Sequence, residues 1–137
     1  MKRTGLAVCC LILMLAIPLS VQAQVKQTIR FTITKDGLVT RDIKMDGKRF
    51  SVPQGVRLKL IFEYADTNSN AHQFTALSAN TEVTGARMSP DGPKASMMEF
   101  TVGDRGEEFY RISCDLPCLA MEELTDYLLF VDRTKQR

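Results

Sequence analysis

The sequence predicts an all-β domain of about seven short strands, folded as a sandwich or a barrel. Three observations predict it. Apolar and polar residues alternate with period two in several runs. Turn-forming residues recur between those runs. No long stretch has the 3.6-residue apolar period of an amphipathic helix.

Gln27–Thr34 is the first such run, with Ile29, Phe31 and Ile33 on one face and Thr28, Arg30 and Thr32 on the other. Lys35-Asp36-Gly37 reads as a turn. Asp42–Met45 and Lys48–Val52 flank Asp46-Gly47, a two-residue hairpin signal because glycine accepts positive φ. Pro53-Gln54-Gly55 makes the next turn. Val56–Tyr64 alternates again, with Val56, Leu58, Leu60, Phe62 and Tyr64 on one face. Asp66–Asn70 is turn chemistry, since Asx and Ser side chains bond the local backbone. Ala71–Leu77 is the next strand and has His72 at its entry. Ser78–Lys94 holds two glycines and two prolines and reads as a long connection with room for one helical turn. Ala95–Val102, Glu107–Ser113 and Tyr127–Val131 complete the set. Either Met97 or Met98 must face inward, and Met121–Thr125 is short enough for a single helical turn.

The N-terminus reads as a targeting segment. Lys2 and Arg3 precede the apolar run Leu6–Leu19, and Val21-Gln22-Ala23 has the small-residue pattern of a cleavage site. The apolar run is shorter than the ~20 residues of a spanning helix. The expected organisation is a cleaved signal over 1–23 and one domain over 24–137, exported to a periplasm or beyond. Cys9 and Cys10 leave with the signal, and no transmembrane segment remains. Lys2 and Arg3 are two of the 18 basic residues, and the other 16 balance the 16 acidic ones. A domain of zero net charge without a Lys/Arg cluster is a poor nucleic-acid binder.

Phe109–Met121, FYRISCDLPCLAM, is the stretch richest in chemistry. Cys114 and Cys118 stand four residues apart and Met121 follows. Thiolate and thioether sulfur are soft donors and suit Cu(I) or another thiophilic ion. The chain's one histidine, His72, lies about forty residues upstream. In a sandwich, loops gather at the two ends of the sheets. The start of one strand and the end of an antiparallel neighbour therefore share a pole. Met88, or whichever of Met97 and Met98 faces away from the core, is a further thioether candidate. Glu122 and Glu123 read as a solvated face, and Pro117 shapes the loop by fixing its own φ. Nothing resembles a Ser–His–acid set, an HExxH helix or a phosphate-binding glycine loop, so an enzyme is not expected.

The order of these pieces resembles the cupredoxins. The hairpin-and-strand Asp46–Glu63, the segment NSNAHQF, then FYRISC, Pro117-Cys118, Met121 and a final apolar strand fall in that family's order, over Ile43–Asp132. The resemblance implies a Greek-key β-sandwich. It gives His72 the upstream histidine role, Cys114 the thiolate role and Met121 the weak axial role. The Cys-x-x-x-Cys spacing is similar to the binuclear copper domain of cytochrome oxidase subunit II. Neither ligand set is complete. A blue-copper loop has a second histidine, and Cys118 stands near its place. The binuclear pattern has a histidine and a methionine where Glu122 and Thr125 stand.

Two functions from different classes follow. One is copper binding at His72, Cys114, Cys118 and Met121, with Cu(I) favoured and zinc the lesser option, serving copper handling or electron transfer with a redox or copper-trafficking protein partner. The other is a metal-free interaction domain in which Cys114 and Cys118 form a disulfide. That ring is short, so its entropic stabilisation lies at the low end. The oligomeric state is not readable.

Overall fold

The computed structural model describes residues 24–64, 70–117 and 122–135. Among them there are nine strands and no helix. In chain order they are β1 (Lys26–Thr34), β2 (Gly37–Val39), β3 (Arg49–Pro53), β4 (Arg57–Tyr64), β5 (Phe74–Leu77), β6 (Glu82–Thr84), β7 (Ala95–Thr101), β8 (Phe109–Cys114) and β9 (Tyr127–Asp132). They form two sheets, one ordered β2-β1-β4-β7 and the other β3-β9-β8-β5-β6.

Alternation dictates which faces meet. Ile29, Phe31 and Ile33 of β1 and Leu58, Leu60 and Phe62 of β4 are buried, while Arg30 and Lys26 stay outside. From the other sheet, Phe50, Val52, Phe74, Ala76, Tyr110, Ile112 and Leu129 close the core. A row of rings crosses between the layers. Phe62 stacks on Phe31 at 5.6 Å and on Phe74 at 4.2 Å, and Phe31 meets Phe50 at 5.6 Å. Such pairs add to simple area burial. Met98 faces this core and Met97 faces out, the split that alternation requires.

Four expectations are corrected. The strands number nine rather than about seven, because β2 and β6 are three-residue edge strands, too short for any periodicity to register. The Asp46-Gly47 turn forms, with Gly47 at φ 58°, and Asp46 and Arg49 exchange both backbone hydrogen bonds. It ends after that single bridge. Residues 42–45 form no strand, and β3 pairs in parallel with β9. A turn signal fixes the local bend, but the partner of the strand is a long-range choice. The connection 78–94 contains β6 and a bridging residue, Met88, and has no helical turn. The proposed turn at Met121–Thr125 is non-helical over 122–125, and Met121 lies outside the described residues. The signal-segment reading of 1–23 and the Asp66–Ser69 part of the turn also lie outside them.

Two tyrosines fasten the ends of the sandwich. The Tyr110 hydroxyl accepts the Gly103 N–H at 2.9 Å, and its ring packs on Phe100 at 4.9 Å. Tyr127 Oη accepts the Leu38 N–H at 2.8 Å and donates to the Glu123 carbonyl at 2.9 Å. Gly37 sits against that hydroxyl, where an added Cβ would lie 2.4 Å away, and its φ of 119° also demands glycine.

Burial, and next the nearby Glu107 charge, push the Tyr110 phenol up to about 12, against hydrogen bonding by Gly103 that pulls it down. Burial likewise raises Tyr127. A phenol whose pKa is higher folded than unfolded stabilises fully below its ordinary value of 10.0 and loses that contribution as pH rises towards about 12. Chemical denaturation is therefore expected to show stability falling over this window. Tyr110→Phe should flatten the fall, and an equally steep fall in the variant would refute the assignment.

Candidate metal centre

The sequence brings its histidine and a cysteine together through strand register. β5 and β8 are antiparallel, with Phe74 opposite Cys114. Beyond that pair, Asp115 N–H donates to the Gln73 carbonyl at 2.8 Å. His72 is two residues before Phe74 and so shares its face, which makes it a diagonal neighbour of Cys114. Both side chains point inward and are buried. His72 Nδ1 lies 3.5 Å from Cys114 Sγ. The shared pole expected from chain order is the one the fold builds.

The His72 ring is held by packing more than by hydrogen bonds. It lies 5.4 Å from the Tyr64 ring and 6.3 Å from the Phe74 ring. The Tyr64 hydroxyl donates to the Asn70 carbonyl and so steadies the segment that leads into His72. His72 Nε2 is buried and has no hydrogen-bond partner. Burial holds the imidazole below its ordinary pKa of 6.5 and so favours the neutral form, which is the form that binds metals. Cys114 is a free, buried thiol, and its other polar neighbour is the Leu116 carbonyl at 3.7 Å.

The loop that follows Cys114 is tied down at both feet. On the incoming side, Asp115 bonds the Thr75 hydroxyl, which is itself 2.9 Å from Thr84 Oγ1. On the outgoing side, the Leu124 carbonyl accepts the Cys114 N–H at 2.9 Å, and Ser113 Oγ accepts the Asp126 N–H at 3.0 Å. Lys48 Nζ donates to the carbonyls of Glu122 at 2.6 Å and Thr125 at 3.0 Å. Leu124 is fully buried, and Asp126 turns the chain into β9 at φ 59°, a left-handed conformation that Asp tolerates. Sequence reasoning missed all of these anchors. Lys48 reads there as part of a hairpin, and Thr75 as one more alternating strand residue. Cys118 and Met121 lie outside the described residues.

The pair fits one metal ion. Donors at about 2.0 Å (imidazole nitrogen) and about 2.3 Å (thiolate sulfur) from a tetrahedral ion stand about 3.5 Å apart, and that is the separation found. Among the described residues no group of three His, Cys, Asp or Glu side chains gathers. A complete donor set therefore draws on thioethers or on the loop.

No protein-family model and no curated protein matches this chain. Solved structures do. Rusticyanin from Thiobacillus ferrooxidans aligns at a TM-score of 0.55 with 12% identity, over 81% of this chain and 79% of that one. The domain has the cupredoxin fold. Auracyanin A, a blue copper protein from Chloroflexus aurantiacus, aligns at 0.52 with 15% identity, over 78% of this chain and 99% of that one. A chain of a haem-copper terminal oxidase dimer aligns at 0.55 with 10% identity; the match covers 80% of this chain but only 65% of the oxidase chain, just under two thirds of its length. At these identities the likeness is one of fold. In this cupredoxin-like domain, His72, the chain's single histidine, lies two residues before β5, and Cys114 ends β8.

Proposed function

We propose that this protein is an exported, non-catalytic copper binder that holds Cu(I) through His72 and Cys114, with Cys118 and Met121 supplied by the loop. The observation that carries the reading is the buried 3.5 Å approach of His72 Nδ1 to Cys114 Sγ on a cupredoxin fold. Auracyanin A is a blue copper protein and the oxidase a haem-copper enzyme, which supports copper over zinc.

When bound, copper would supply a soft cation and a one-electron couple. The chain's own residues do the rest. His72 offers a neutral ring nitrogen, Cys114 a thiolate once its proton leaves, and the Tyr64 and Phe74 rings pack against the imidazole. Extra sulfur in place of a second imidazole favours Cu(I) over Cu(II). That preference suits holding and passing on copper better than cycling electrons. The reading includes export through residues 1–23 to a periplasm and a copper-trafficking or redox protein as partner.

The test is anaerobic titration of the reduced domain with Cu(I), followed by air and by Cu(II). One tightly held, colourless Cu(I) that resists oxidation is expected. Intense visible absorption with Cu(II) would replace copper handling by electron transfer. No specific binding by protein with two free thiols would sink both and leave the disulfide-closed interaction domain.

A further inference from the structure

We propose that the Met88 thioether is a further soft donor of this centre, reaching the ion from the His72 side and not from the loop after Cys114. The inference rests on the copper reading above.

Met88 and His72 exchange both backbone hydrogen bonds, His72 N–H to the Met88 carbonyl at 3.1 Å and Met88 N–H to the His72 carbonyl at 2.8 Å. Two residues that exchange both bonds in an antiparallel bridge are directly opposite, with Cα atoms about 5.5 Å apart. Their side chains project to the same face. The His72 face is the inner one, and Met88 is fully buried in the core cluster, as His72 is fully buried beside it. His72 is thus flanked by sulfur on two sides, with Cys114 diagonal on β8 and Met88 opposite on the bridge.

The polar chemistry around the ring leaves room for an ion. The partner of Nδ1 is a thiol, a weak donor, and Nε2 has none. A neutral imidazole keeps one bare nitrogen, and no strong protein donor claims it here. The His72 ring itself packs against the Tyr64 and Phe74 rings. Met88 has three rotatable bonds and a polarisable sulfur that adapts to the position of a neighbour. A thioether also carries no proton to displace. Imidazole, thiolate and thioether together are a set that prefers Cu(I).

The experiment compares Cu(I) affinity, by competition with a chromophoric Cu(I) chelator, in the wild type and in Met88→Leu, Met98→Leu and Cys114→Ser. Met→Leu conserves volume and is well tolerated in cores, and Met98 is an equally buried methionine on β7. Melting temperatures of the metal-free variants check the fold. Met88→Leu is expected to lose at least about tenfold in affinity, no less than the loss typical one shell further out, while Met98→Leu loses nothing. X-ray absorption of the copper-loaded Cys118→Ser/Met121→Leu double variant gives a second reading that leaves Met88 intact. Two sulfur scatterers are expected there, from Cys114 and Met88. One sulfur in that spectrum, or wild-type affinity in Met88→Leu beside lost binding in Cys114→Ser, overturns the assignment and leaves the copper centre standing. Wild-type affinity in Cys114→Ser overturns both.

Discussion

Cys114→Ser is expected to lower Cu(I) affinity by at least about a hundredfold while the metal-free protein stays folded. A structural metal site of four ligands binds with about 10–16 kcal/mol, so one ligand carries about 3 kcal/mol. The serine hydroxyl inherits neighbours that suit it. The Leu116 carbonyl, 3.7 Å from the present sulfur, accepts a hydrogen bond, and His72 Nδ1, 3.5 Å away, accepts or donates with its tautomer. The fold therefore survives and the soft donor is lost. His72→Gln should cost a similar amount, because it removes the other half of the same contact. The double variant tests whether the two act on one ion. Residues that serve a single centre couple strongly, and the double loss should then fall well short of the sum. Affinity within twofold of wild type in either single variant would remove that residue from the centre.

The largest effect on stability is expected at Phe62→Ala. Phe62 is fully buried and stacks on rings from both sheets, Phe31 at 5.6 Å and Phe74 at 4.2 Å. Truncating a buried phenylalanine costs about 3–5 kcal/mol in lost burial and cavity. Small domains are stable by only about 5–15 kcal/mol. The loss should lower the melting temperature by about 15 °C or more. Phe109→Ala is the contrast. Its ring is half exposed and meets one partner, Phe130, across the outer face of the sheet at 6.3 Å, so the cost should stay near about 1 kcal/mol. Equal losses from the two variants in a denaturant titration would contradict the layered core. Phe74 also flanks the His72 ring, so Phe62→Ala should loosen the packing around His72 as well.

Much of the fold was legible because alternation is a local signal. Ile29, Phe31 and Ile33, or Leu58, Leu60 and Phe62, declare a strand and its buried face without reference to the rest of the chain. Pairing is not local. Nothing in Arg49–Pro53 names β9 as its parallel neighbour, and the Asp46-Gly47 turn pointed to a hairpin partner instead. Of the candidate site, His72 and Cys114 could be connected through family order, and the fold places them 3.5 Å apart. Met88 was legible only as one of several thioether candidates in a connection rich in Gly and Pro, and the bridge to His72 singles it out as a neighbour of the pair. The anchors Lys48 and Thr75 act through carbonyls and hydroxyls far along the chain, contacts that no residue pattern encodes.

The place of β9 has a consequence for when the centre can exist. The last strand lies inside its sheet, second from the edge, between β3 and β8. Until residues 127–132 arrive, β3 has no sheet partner, β8 has one bare edge, and Tyr127 is not there to hold Glu123. Contacts between residues some eighty positions apart form slowly, because the chain entropy of closure comes first. A chain whose last strand is not yet made therefore lacks the closed second sheet that carries Cys114. The proposed copper site is therefore expected to bind the ion only once the whole domain has closed.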